Sequence, residues 1–533
     1  MTPSRGAGVG LFAAKPQGSG AAALIAVLAG SFQAACLAWP FEMPAAMHAL
    51  GLSRGQPLWW GQLLGMAMLV GLLLDAASAR QAAWRGWLFA LAWLSLTFGW
   101  LFTSMHTYGG LPAVLALLAV LVLAGALAVF YAAACGLFST QAQVSKSFSA
   151  IVFAALWLLA ELARGLWLTG FGWGAVGYAH VGGPLSPLIP WVGLYGTSAV
   201  AAALAALFVF ALQANTRREK SMLLVLIVAL LTGAYALPVA QGSDHGSLQV
   251  TLLQGNIAQE EKFESGSGVP KALLWYGSQL QANKSSLIIT PETAVPLLPE
   301  QLPPGYWTAL QQRYAVGEQA ALVGVPLGSF AEGYTNSVVG FKPRQSKPWR
   351  YDKHHLVPFG EFIPPMFRWF TNLMNIPLGD FNRGGLPQPT FDWQGQRLAA
   401  TICYENLFSE ELATQFANPA LAPTILVNIS NLGWFGEHLA MDQHLQIARM
   451  RALEFDRPFL LATNTGQTAI MDHRGRVTYA AVPHTAVALT GEVQGRTGIT
   501  PYANWVARFG LWPLWALALA VVLWAKFARK RHG

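Results

Sequence analysis

Eight apolar runs restrict what this chain can fold into. They lie near residues 21–37, 58–76, 84–103, 112–137, 149–168, 190–212, 221–240 and 509–526. A helix needs about 20 residues to cross a bilayer, and the runs are of that order. The rest of the composition agrees. Hydrophobic residues make up 54% of the 533 and charged residues 11%, where a globular chain has roughly a quarter charged. The deficit is concentrated in the first half and at the extreme C-terminus, so a soluble portion is expected between spans. The first run, behind Arg5 and Lys15, also has features of a signal peptide, and Ala34-Ala35-Cys36 of a lipoprotein cleavage site. Gln33 and the further spans argue against that reading.

The formal charge of +8 does not point to nucleic acid, because no basic face carries interleaved aromatics. Lys and Arg instead cluster beside apolar runs: Arg80 and Arg85, Lys146, Arg217-Arg218-Glu219-Lys220, and Lys526 with Arg529-Lys530-Arg531. The loops Met105–Leu111 and Phe171–Leu188 have none. The positive-inside rule then puts both termini in the cytoplasm. An odd number of spans precedes residue 241, which places 241–508 outside the cytoplasm. The expected organisation is a bundle of about seven spans over 1–240, a soluble domain over 241–508, and a last span with a basic tail over 509–533. The 21 Trp fit interfacial belts. Glu161 and Arg164, spaced i,i+3, are expected to pair on one helix face. Phe171–Pro187 reads as an ordered outer loop shaping an entrance.

The soluble domain reads as alternating strands and helices. Strands are expected at Ser247–Gln254, Ser286–Thr290, Ala320–Pro326, Ser337–Phe341, Leu398–Cys403, Thr424–Asn428 and Phe459–Thr463. Helices are expected at Lys271–Ala282, Pro304–Val316, Leu407–Phe416 and Met441–Phe455. That pattern implies an α/β fold with two packed sheets under covering helices.

Three residues stand out for chemistry. Cys403 ends a small, β-branched strand and is followed at once by Tyr404, Glu405 and Asn406. The chain has two other cysteines, Cys36 and Cys135, and both sit in apolar runs. Cys403 therefore lacks a disulfide partner in an oxidising compartment, which favours reactivity over packing. A thiol needs a base or a cation beside it to become a nucleophile. His354, His355, His438 and His444 are available, none in a thiol-protease context. Glu292 ends the apolar strand Leu287-Ile-Ile-Thr-Pro, and Lys353 stands in Tyr351-Asp-Lys-His-His-Leu-Val-Pro-Phe-Gly-Glu361. A carboxylate and an ammonium around one thiol can hold it near ionisation without a histidine. His438, Asp442 and His444 form no recognised metal motif, and no metal or other cofactor is expected. No GxGxxG, P-loop or GxSxG stands in a fitting context.

Glu292, Lys353 and Cys403, in that order, resemble the nitrilase-superfamily pattern. The segments around them resemble the apolipoprotein N-acyltransferase family more closely. So do Leu253-Gln-Gly-Asn256-Ile, Asn431-Leu-Gly-Trp434-Phe-Gly436, Ala448-Arg-Met-Arg-Ala-Leu-Glu454, Trp39-Pro, Phe98-Gly-Trp100 and Glu161-Leu-Ala-Arg164-Gly. The resemblance implies a polytopic α-helical membrane protein of about eight spans with an inserted αββα nitrilase-like domain. It implies that Cys403 is the acylated nucleophile, Glu292 the general base and Lys353 the oxyanion stabiliser, with Glu361, Tyr404 and Glu405 in support. Phe263, Asn336 and Trp434 are the expected substrate contacts. Phe263 stands where the family often has Trp, and Leu432 where it often has Asp.

The implied activity is acyl transfer from a phospholipid, through a Cys403 thioester, to the N-terminal diacylglyceryl-cysteine of an apolipoprotein. The implied partners are that donor and acceptor and the bilayer, with no nucleic acid, and the protein is expected as a monomer of the bacterial inner membrane. A membrane-anchored nitrilase-like amidohydrolase would use the same three residues, but would not need the spans or the apolar stretch Phe362–Phe381. That stretch reads as a lid or as a lipid-dipping arm. A transporter or receptor would need broken half-helices that the runs do not show.

Overall fold

The computed structural model describes residues 19–141, 145–238, 242–345, 347–364, 381–437 and 439–532. Most of the apolar stretch Phe362–Phe381, and His438, lie outside them. Seven helices come first: α1 (Ser19–Ala35), α2 (Trp59–Leu74), α3 (Ala79–Thr97), α4 (Ala113–Thr140), α5 (Lys146–Leu166), α6 (Ile189–Leu212) and α7 (Arg217–Ala236). Three of them start on a side-chain cap, with Ser78, Ser145 and Thr216 accepting from the backbone N–H of Gln81, Phe148 and Glu219. α4 shows how composition sorts the faces. Val114, Leu118, Val122 and Val129 point outward, while Ala116, Ala124, Ala128 and Cys135 are buried. Small residues there let backbones approach, as membrane helices require without a solvent-driven force.

By length and apolar composition, four of these helical segments are able to cross a membrane: Ala113–Thr140, Lys146–Thr169, Ser186–Leu212 and Arg217–Ala236. Two bent pairs raise the number to six, if each counts as one span. These are Ala79–Thr97 with Leu101–Tyr108, bent by 60°, and Pro501–Phe509 with Trp512–Ala528, bent by 88°. Among the described residues α1 and α2 are shorter apolar helices. α1 stops before Cys36, whose N–H bonds back to Phe32 and Gln33, and α2 stops at Asp75, which faces Arg85 at 3.8 Å.

The later half of the chain is built on two six-stranded sheets. Its strands are β1 (Asp244–Gln254), β2 (Leu287–Ile289), β3 (Ala320–Ser329), β4 (Gly333–Phe341), β5 (Trp349–Asp352), β6 (Phe391–Trp393), β7 (Gln396–Ile402), β8 (Ile425–Ser430), β9 (Phe459–Thr463), β10 (Ala469–Met471), β11 (Val477–Ala480) and β12 (Val487–Arg496). The first sheet runs β12-β1-β2-β3-β4-β5 and the second β11-β10-β9-β8-β7-β6. Each has a parallel centre, β1-β2-β3 and β7-β8-β9 respectively. The sheets bury their facing sides together, with Val250, Leu287, Ile289 and Leu322 against Ala400, Ile402, Val427 and Ile429. All seven expected strands are present. The five additional ones, β5, β6, β10, β11 and β12, are short or exposed and so carry little apolar signal.

The outer sides differ. α8 (Gly268–Ala282) and α9 (Tyr306–Val316) cover the first sheet. The second is covered by α10 (Ser409–Ala413) and α11 (Leu439–Phe455), whose apolar residues run without interruption into the membrane helices. α11 is held there by polar bonds. Gln443 accepts from the indoles of Trp100 (3.1 Å) and Trp173 (2.7 Å), and Gln446 donates to Gly55 O at 2.8 Å. α6 is broken at Gly193, where φ is +65° and an added Cβ would lie 2.2 Å from the Tyr502 ring. The break frees the N–H of Leu194, and Glu454 of α11 accepts it at 2.7 Å. The chain ends with α12 (Pro501–Phe509) and α13 (Trp512–His532).

Glu161 and Arg164 are both fully buried, but they do not pair directly. Arg164 donates to Tyr131 Oη and to the carbonyls of Phe171 and Trp173, while Glu161 accepts from Val176 N–H. The expected pairing is replaced because the loop after α5 folds back and presents its backbone to both groups. Phe171–Pro187 is the ordered loop its composition implied.

Candidate active site

The candidate residues come off the carboxyl ends of strands, the edge where open α/β sheets place their ligands. β2 runs out through Thr290-Pro291 into Glu292, and Thr293 follows with φ +46°. β3 makes room with Gly324, where a Cβ would sit 2.2 Å from Pro291 O and 3.0 Å from Glu292 Cα. β5 delivers Lys353, and β7 delivers Cys403. Cys403 adopts φ +51°, a left-handed conformation uncommon for any residue but glycine. Such outliers concentrate at functional sites, where surrounding structure holds them.

The carboxylates and the ammonium form one bonded cluster. Lys353 Nζ lies 2.9 Å from Glu361 Oε1 and 3.5 Å from Glu292 Oε1. Asn336 Nδ2 donates to both carboxylates, at 2.6 Å to Glu292 and 3.0 Å to Glu361. The other Glu292 oxygen accepts from Asn431 N–H at 2.9 Å. Burial works against the Lys353 charge, but Glu361 and Glu292 outweigh it and hold the ammonium well above the usual lysine range. The Cys403 thiol is pushed up by burial and then by Glu292, with Lys353 and the Asn431 N–H offsetting part of this. A thiol held protonated beside a carboxylate is set to lose its proton to that carboxylate as it attacks.

Glu405 braces the loop that carries Lys353. Its Oε1 accepts from the N–H of His354 (2.6 Å) and His355 (3.1 Å), its Oε2 from Ile402 N–H (2.6 Å) and Tyr351 Oη (2.9 Å). Burial raises its carboxyl to about 7 against those donors. Tyr404 reaches the membrane frame, donating to Gly170 O at 2.8 Å, and His355 Nε2 meets Thr169 O at 3.0 Å. Phe263 and Trp434 are both partly exposed, and Trp434 stacks edge-on to Tyr108 at 5.7 Å. Asn336 stands with the carboxylates rather than at the surface. Asp442 accepts from Gln467, and His444 lies 3.5 Å from Cys403 O. Among the described residues no three potential metal ligands cluster.

The site also contains groups that the sequence did not single out. Lys262 is buried with Nζ 2.9 Å from Glu292 O. It sits in Gln259-Glu-Glu-Lys-Phe-Glu264, a charge run that reads as a solvated loop. The Asn431 N–H serves through its backbone, which no side-chain motif reveals.

Comparison with known proteins assigns this arrangement in two steps. Residues 249–502 match the carbon-nitrogen hydrolase family, the class that the two sheets and the Glu–Lys–Cys cluster define. Residues 45–207 match the N-terminal domain of apolipoprotein N-acyltransferase. An apolipoprotein N-acyltransferase of Verminephrobacter eiseniae is 54% identical, covering 95% of this chain and 96% of its own. That of Ralstonia nicotianae is 41% identical over 91% and 92%, and that of Bordetella bronchiseptica 40% over 91% and 96%. The chain belongs to the apolipoprotein N-acyltransferase family.

Proposed function

We propose that this chain moves a fatty-acyl group from a phospholipid to the N-terminal amine of a diacylglyceryl-modified apolipoprotein, the final step of bacterial lipoprotein maturation. The observation that carries the reading is the bonded cluster of Glu292, Lys353 and Glu361 beside Cys403, set against an apolar helical frame. Glu292 takes the proton of the Cys403 thiol as sulfur attacks the donor's ester carbon. Lys353, with a backbone N–H just after Cys403, faces the oxyanion. The intermediate collapses to a thioester, and the departing lysophospholipid oxygen takes the proton from Glu292. The acceptor amine then attacks the thioester, gives its proton to Glu292, and releases Cys403, which recovers that proton.

Glu361 and Glu405 hold Lys353 and its loop, and Tyr404 fixes the frame to the nucleophile. Phe263 and Trp434 contact substrate. Asn336 is better read as a clamp on the two carboxylates, because its amide donates to both. Counting α1 and α2 with the four spans and two bent pairs gives the eight-span frame. The catalytic portion, 241–508, is then periplasmic and both termini cytoplasmic, between a bundle over 1–240 and a last span over 509–533. This arrangement is supported by the basic clusters and by the loops that touch the catalytic portion. Both substrates live in the bilayer, so anchoring supplies much of the positioning.

Intact mass spectrometry after incubation with phospholipid tests this. A hydroxylamine-sensitive fatty-acyl adduct is expected on the wild-type chain and not on Cys403→Ala. An alanine variant that still acylates would overturn the reading. An adduct released by water as fast in the absence of an amine acceptor as in its presence would favour the amidohydrolase class.

A further inference from the structure

We propose that Lys262 is a second working lysine of this site, a positioning residue that anchors the Glu292 peptide and adds a second positive charge beside Glu292 and Cys403. The inference rests on the acyltransferase reading and concerns the same thiol. Lys353 is committed to two carboxylates, at 2.9 and 3.5 Å. Lys262 is 2% exposed, and the acceptor it meets is the neutral carbonyl of Glu292, at 2.9 Å. No carboxylate among the described residues lies within ion-pair distance of it. The charged and titratable groups that face it are Glu292, from the end of β2, and Cys403, from the end of β7. The Phe263 ring covers it from outside, 5.7 Å from Nζ.

A buried, unneutralised ammonium is costly unless an anion develops beside it. During the reaction one does, as negative charge moves between the carboxylate and the sulfur. Lys262 is not itself a proton donor or acceptor in the reaction. It holds the strand-end peptide in register and offsets whichever partner is charged.

The lysine itself titrates in an accessible range. Burial lowers it to about 8, with Glu292 and Cys403 pulling the other way. Its charge is therefore present below that pH and lost above it. An arginine at 262 would stay charged across the whole range.

The test measures the rate of thioester formation on the full chain in phospholipid micelles, from about pH 6 to about pH 9.5, by intact mass. It compares wild type, Lys262→Met and Lys262→Arg, with thermal unfolding run on each. Lys262→Met is expected to slow formation by about tenfold or more at neutral pH, one pK unit's worth of charge interaction. Wild type is expected to lose rate above about pH 8, and Lys262→Arg to keep the neutral rate while moving that fall to higher pH. Lys262→Met within about twofold of wild type, or an unmoved alkaline fall in Lys262→Arg, would overturn the inference. If Lys262→Met does not unfold cooperatively, the arginine profile alone decides. A wild-type chain that forms no thioester sinks the acyltransferase reading instead, so the two failures are distinguishable.

Discussion

The two helix layers of the catalytic portion have the same architectural position and opposite surroundings. α9, over the first sheet, fully buries only Leu310 and Tyr314, and its Val316 is nearly bare. α11, over the second sheet, buries all but Leu439 and Arg449. Yet α11 is the more polar helix, with Asp442, Gln443, His444, Gln446, Arg451 and Glu454 along it. The membrane frame supplies partners for Gln443, Gln446 and Glu454, while Asp442, His444 and Arg451 are met within the catalytic portion by Gln467, Cys403 O and Glu454. The second sheet, which carries Cys403, is thus bonded to the membrane helices, while the first sheet, which carries Glu292 and Lys353, is attached mainly through the second.

The largest effect is expected where that attachment is cut. Glu454→Ala would strip the partner from buried Arg451, 2.9 Å away, and uncap Leu194. A loss of about 3–5 kcal/mol is expected for a charge stranded in this way, read as a collapse of the thermal midpoint. Val316→Ser on α9 is expected to change stability by less than about 0.5 kcal/mol. Similar losses for the two would break the comparison.

Gly324→Ala sharpens it from the other side. A Cβ 2.2 Å from Pro291 O must push the Glu292 turn aside, and displacements of that order cost about 100-fold in rate. Thioester formation measured by intact mass is expected to fall by that factor. Gln443→Leu removes the shared acceptor of two buried indoles and is expected to cost about 1–3 kcal/mol, read by thermal unfolding. The smallest effect is one of pH. Burial raises the Glu405 carboxyl from 4.5 to about 7, so between those values the folded chain binds more protons than the unfolded one. Stability from this group therefore falls as pH rises through that window. The thermal midpoint should decline from about pH 4.5 to about pH 7, and less steeply in Glu405→Gln.

What the sequence made legible divides along the same line. Glu292 and Cys403 end or follow strands whose apolar residues announce them, as do the central parallel strands, whereas Lys353 follows the short, half-exposed β5 and was legible only from the motif around it. Lys262 was not, because Glu260, Glu261 and Glu264 around it read as solvated charge and only tertiary packing buries it. The i,i+3 spacing of Glu161 and Arg164 was legible, but their partners were not, since these are backbone groups of a loop whose path the spacing does not encode. Gln443 and Glu454 carry no local sign that they face indoles and a broken helix. The edge strands β11 and β12 are largely exposed, and β10, though buried, is three residues long, so none of them carries a readable apolar period.

The broken helix α6 bears on how the protein is made. Leu194 precedes Glu454 by 260 residues, so the ribosome delivers the uncapped break long before its carboxylate partner exists. Until then the N–H of Leu194 lacks the carboxylate that accepts it in the folded chain. The cap of this break in the membrane half is thus supplied by a residue of the later half. The Glu454 bond therefore ties the later half of the chain back onto a break made in the earlier half.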